Sequence, residues 1–110
     1  MWRSLEGRHH AFRGLQVLED AEHHRWVRVA DVRRIVGHTA SDRALALTYP
    51  AGWRMLGRPL QPHIRDDELI AHLRTQRSPE ALRLRHGVER EIAFPAKRVR
   101  DRVRGSNPSR

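Results

Sequence analysis

The chain has 110 residues, with 22 Lys or Arg against 13 Asp or Glu and a formal charge of +9 when its eight histidines are neutral. That length suits one domain with a modest core, and the charge favours polyanionic partners while leaving the fold open. Cysteine is absent, which excludes disulfides, thiolate zinc sites and a cysteine nucleophile, and no apolar run reaches the length of a membrane span.

Residues 1–11 are polar and are expected to form a flexible N-terminal segment, with Trp2 and Leu5 as groups that could dock on the body. They lack the apolar h-region of a signal peptide, so a cytoplasmic protein is expected, nucleoid-associated where its positive charge engages DNA. Phe12 to Leu18 places Leu15 and Val17 on one face and predicts a first strand, with Glu19 to His24 as the hairpin connection. Residues 25–30 return as a second strand, in which Val27 and Val29 alternate with Arg28 and Ala30. From Asp31 the period changes to that of a helix: Val32, Ile35 and Val36 share one face, Asp31 is positioned as N-cap and Gly37 as the left-handed C-terminal residue.

A second helix is predicted over 42–48, with Ser41 as N-cap and Pro50 beyond its end. Residues 50–63 hold three prolines and two glycines among Trp53, Met55, Leu56 and Leu60. They read as an irregular loop or short strands whose apolar residues either cover the core or form a seam between two copies of the chain. A third helix runs from about 67 to 76 and buries Leu69, Ile70 and Leu73. The fourth starts with Ser78 as cap and Pro79 at its first position, and continues to about 92 with Ala81, Leu84, Val88 and Ile92 inward. Arg83, His86 and Arg90 face outward. Arg85 falls in the apolar sector and either snorkels to the edge or pairs with a carboxylate. Pro95 ends or kinks this helix. Residues 96–110 then form a basic C-terminal extension, with Lys97, Arg98, Arg100, Arg102, Arg104 and Arg110 against Asp101 alone, closing in a segment that reads as disordered. The expected fold class is α+β: a small single domain whose N-terminal β-hairpin feeds a short helix, with further short strands and C-terminal helices.

Two segments together resemble one family. Trp26-Val-Arg-Val-Ala-Asp-Val-Arg-Arg-Ile-Val-Gly37 is similar to the strand-to-helix segment of the BRO family N-terminal (Bro-N) domain. Gln76-Arg-Ser-Pro-Glu-Ala81, leading to Glu89-Arg-Glu-Ile-Ala-Phe-Pro95, is similar to its closing helix. Phe12-Arg-Gly14 and Ile64 fit the same order, so residues 12–95 would be the Bro-N-like domain. Val27, Ala30 and Gly87 stand where the family usually has an aromatic residue, a lysine and a tryptophan. The resemblance implies a DNA-binding module of phage or prophage type, acting as a transcription regulator or antirepressor, with double-stranded DNA as partner. The substituted positions and the lack of a second domain point to the alternative, a small phage-encoded inhibitor that binds a host nucleic-acid machine.

The arginines are the residues that would carry DNA binding, because guanidinium groups neutralise phosphates and displace counterions. Arg28, Arg33 and Arg34 flank the strand-to-helix unit. Arg74, Arg77, Arg83 and Arg90 belong to the third and fourth helices, and Lys97, Arg98, Arg100, Arg102 and Arg104 to the extension. For a body arginine the competing role is an ion pair with a nearby carboxylate, whereas the extension has almost no acid to pair with. His9-His10 and His23-His24 lack metal-ligand spacing, and no metal or cofactor is expected. Trp2, Trp26 and Trp53 are expected as core or partner contacts rather than base-stacking platforms. No nucleophile elbow or phosphate loop occurs, so catalysis is not expected, and Asp66-Asp67-Glu68 is explained as a helix N-terminus.

Overall fold

The computed structural model describes residues 2–5 and 14–105. The start of the expected first strand at Phe12 and Arg13, the His9-His10 pair and the closing residues 106–110 lie outside the described residues. The fold is α+β. Its elements in order are β1 (Arg3–Ser4), β2 (Val17–Glu19), β3 (Arg25–Arg28), α1 (Val29–Val36), α2 (Asp42–Thr48), β4 (Trp53–Leu56), β5 (Gln61–Arg65), α3 (Asp66–Arg74), α4 (Pro79–Val88), a π-helical turn (Glu89–Ala93) and α5 (Phe94–Gly105).

All strands belong to one antiparallel sheet in the order β1-β2-β3-β5-β4. Register explains its two faces. Val17, Val27, Ile64 and Trp53 pair across four strands, and all but the half-buried Trp53 are fully buried in the main core. The helices close this face with Val29 and Val32 of α1, Leu45 of α2, Leu69 and Leu73 of α3, and Ala81, Leu84 and Val88 of α4. One residue out of phase, Leu18 pairs with Trp26, and these two form a separate small cluster with Leu56. A one-residue step turns a strand side chain to the opposite face, so the sheet buries two unequal apolar surfaces.

The strand-to-helix unit at 25–37 is present, with one correction. α1 begins at Val29, two residues early, and its N-cap is Arg28, whose side chain makes no capping bond. Asp31 lies inside the first turn and is buried; its Oδ2 accepts from the Gln16 N–H at 2.8 Å and from Arg28 Nε at 2.9 Å. A partner on the neighbouring chain segment outcompetes the local cap. Gly37 ends the helix in the left-handed region at φ 79°, as its lack of Cβ permits. Ser41 caps α2 through Ala44 N–H, and Ser78 caps α4 through Ala81 N–H ahead of Pro79.

Three further expectations are made more definite. The N-terminal segment is not wholly loose: Arg3 and Ser4 pair with Glu19 and Leu18, and Leu5 is buried in the core. Of the two readings of 50–63, the short strands are the one observed: β4 and β5 form a hairpin that turns through Gly57 at φ 92°. Of its apolar residues, Trp53 packs on the main core and Leu56 joins the opposite cluster, while Met55 and Leu60 remain exposed. Pro95 does not end the helical run. Proline lacks the N–H that an α-helix needs, and here the preceding turn widens, so that Phe94 N–H bonds to Glu89 O five residues back. The helix resumes as α5, so residues 79–105 form one continuous helical run interrupted only by the π turn. Arg25 secures the widened turn by donating from Nη1 to Ile92 O at 3.2 Å. Among the described residues no helix is long and apolar enough to cross a membrane.

Candidate nucleic-acid interface

α5 is held to the body along one line. Ala96 is fully buried and Val99 half-buried, while Val103 on the same line is exposed, so the last turn of the helix projects beyond the core. Arg100 fixes its position by donating from Nη1 to His23 O at 3.0 Å. His23 can present that carbonyl because it occupies the left-handed region, φ 67°, in the turn between β2 and β3. Asp20 organises that turn: its Oδ1 accepts from the Glu22 and His24 amides, and its Oδ2 from Trp26 Nε1.

The remaining cations of α5 face outward. Arg98 and Arg102, one turn apart, share one flank; Lys97 and Arg104 lie on the other, the side of Arg100. Lys97, Arg98, Arg102 and Arg104 are exposed. Asp101 is the one carboxylate on the helix, and Lys97 Nζ meets it at 2.7 Å. Its carboxyl is held below the usual range by that hydrogen bond and by the surrounding Lys97, Arg104 and Arg100 charges. Arg98 and Arg104 have no ion-pair partner among the described residues. Between α5 and the β2–β3 turn lies a cleft of about 430 Å³, walled by His23, His24, Glu22, Arg100 and Arg104.

Asp66 is buried near this cleft. Its Oδ1 accepts from the Asp67 N–H at 2.8 Å, while Oδ2 has no partner among the described residues. Burial pushes its carboxyl above the usual range, and the Asp67 charge adds to this; the Asp67 N–H and the Arg100 and His24 charges act the other way.

The other arginines singled out in the sequence are distributed differently. Arg28 is turned inward: Nε and Nη2 fork onto Asp31, and Nη1 reaches Gln61 Oε1 at 3.1 Å. Arg33 closes the α1–α2 connection by donating to Thr39 Oγ1, Ala40 O and Asp42 Oδ1. Arg34 donates to Gly14 O and lies 3.6 Å from Asp31. Arg74 pairs with Glu89, Arg83 with Glu80 and Arg90 with Glu91, all three arginines being exposed. Arg77 is exposed between α3 and α4, without an ion-pair partner among the described residues. Arg85 pairs with Glu89 at 3.9 Å rather than snorkelling. Among the described residues α5 gathers five Lys or Arg around a single acid, whereas α1 and α4 each carry two arginines with one acid.

Sequence reasoning passed over Arg54 and Arg65. Both lie on the open side of the sheet with Trp26: the guanidinium carbon of Arg54 is 5.2 Å from the indole centre and that of Arg65 6.0 Å. The alternation Trp53-Arg54-Met55-Leu56 was the available signal, because it sends Arg54 to the face opposite Trp53. No family model, curated protein or solved structure matches the chain.

Proposed function

We propose that the chain is a DNA-binding module that lays α5 against the phosphates of a duplex. The carrying observation is the outer face of that helix: Lys97, Arg98, Arg102 and Arg104 are exposed on it around one aspartate. Guanidinium and ammonium groups so placed reach backbone phosphates, and nothing in such a contact reads the base sequence. The resemblance to Bro-N domains supports a regulatory, phage-type role for the module. The body arginines that hold Asp31, Asp42 and Glu89 support the fold of the domain instead. A second reading, contact with a host protein, is favoured by Leu47 and Leu60, 73% and 65% exposed on α2 and in the β4–β5 turn.

A gel-shift series over salt tests the first reading. Four phosphate contacts give a slope of about −4 in log affinity against log salt. Arg98→Gln with Arg102→Gln should reduce the slope by about 2 and weaken all duplex sequences alike. Absence of duplex binding at low salt, or an unchanged slope in the double variant, would overturn the assignment to α5.

A further inference from the structure

We propose that the open face of the sheet carries a nucleotide site, a pocket that takes a planar base together with its phosphate. One sheet face is covered by helices; on the other, Leu18, Trp26 and Leu56 pack as a small cluster of their own. Trp26 is nonetheless only 2% exposed. Its cover consists of Trp2, edge-on at 5.9 Å and 75°, and of the Arg54 and Arg65 guanidinium groups. These groups surround a pocket of about 380 Å³, bordered on its far side by Glu22 and His24. That volume falls in the range of small-molecule sites, roughly 300–1,000 Å³.

The hydrogen bonds within the pocket leave few groups for a ligand. Arg65 is taken by Asp67, through bonds of 2.6 and 3.1 Å. Asp20 already accepts from two backbone amides and the Trp26 indole. What remains is the exposed Arg54, with no carboxylate partner among the described residues, the exposed Glu22 carboxylate, likewise without a side-chain partner there, and Trp2, which keeps 40% of its surface open. A matching ligand has a flat face for the indole, a negative group for the guanidinium and a hydrogen-bond donor for Glu22. A nucleoside monophosphate combines the three as base, phosphate and exocyclic amine or ribose hydroxyl. Stacking on aromatic side chains tolerates any base, so the site selects nucleotide over phosphate rather than one base over another. It is separated from the outward face of α5 by the β2–β3 turn and does not depend on duplex binding.

Calorimetric titration of the full chain with adenosine monophosphate tests the site. One-to-one saturation is expected. Trp2→Ala should weaken it roughly 5- to 150-fold, the range for losing one base–aromatic stack, with Trp2→Phe retaining most of it. Arg54→Gln should weaken the monophosphate about tenfold, as expected for one charge-assisted contact, and leave adenosine unchanged. The pair Arg98→Gln and Arg102→Gln should leave the titration unaltered, which separates this site from the α5 reading. Competition then identifies the source: displacement by a duplex with an unpaired 3′ adenosine points to strand ends, and displacement by neither overhanging nor blunt duplex points to the free nucleotide. No saturation, equal displacement by inorganic phosphate or by blunt duplex, or wild-type affinity in Trp2→Ala would each overturn the proposal.

Discussion

Asp31 accepts from Arg28 Nε, Arg28 Nη2 and the Gln16 amide, all within 3.0 Å. Burial by itself raises the carboxyl, but the Arg28 and Gln16 hydrogen bonds and the Arg28 and Arg34 charges outweigh it and hold Asp31 below the usual range. Asp31→Asn keeps one acceptor for Gln16 and turns an amide toward a guanidinium that needs an anion. Loss of the charged hydrogen bonds should cost roughly 1.5–3 kcal/mol, read as a lowered urea midpoint with unchanged slope. If Asp31→Asn left the protein as stable as the parent, Arg28 would be held without need of the Asp31 charge. At this scale the sequence disclosed residue types but few partners. Arg33 finds Asp42 nine positions away and Arg74 finds Glu89 fifteen away, and no local spacing announces such pairs.

Elements were more legible where their signals are local. The Ser41 and Ser78 caps bond three residues ahead, to Ala44 and Ala81, so the sequence alone locates them. Pro95 does not stop the helix, because the prohibition it carries applies to an α-helix, and the chain answers with a π turn fastened by Arg25, far earlier in the chain. That fastening makes α5 part of the domain rather than an appended tail. Ala96 is its tightest point, with no exposed surface. Ala96→Leu adds bulk where nothing can yield cheaply and should cost about 1–3 kcal/mol. The same variant should weaken duplex binding if the α5 reading holds, since the helix that presents Arg98 and Arg102 must shift. A thermal melt paired with a gel shift checks both consequences; an unchanged melt would mean that α5 is not seated on the core.

Across the whole molecule, the polar groups buried with the sheet make stability depend on pH in ways that the separate residues do not reveal. His63 is fully buried, and its Nδ1 lies 2.8 Å from Gln61 O, which can only accept. Nδ1 therefore carries the proton, leaving Nε2 to accept from Gln16 Nε2 at 3.3 Å. Burial lowers the His63 pKa below its ordinary 6.5; the Gln61 bond opposes this, the Arg28 charge adds to it and Asp31 opposes it. His72 is lowered as well, by burial and by the His38 charge. Below about pH 6.5 the unfolded chain takes up these protons and the folded chain resists, so stability falls with acidification. Asp31 and Glu19, lowered in the fold, extend the loss as pH drops through the carboxylate range; Asp66, raised in the fold, opposes it. Melting temperature should thus decline from about pH 7 to about pH 5. His63→Gln, which cannot titrate and can still donate to Gln61 O, should lower the melting temperature at neutral pH and flatten that decline, with His72 supplying the remainder. An identical pH slope in the variant would mean that the Gln16–His63–Gln61 chain carries no charge penalty.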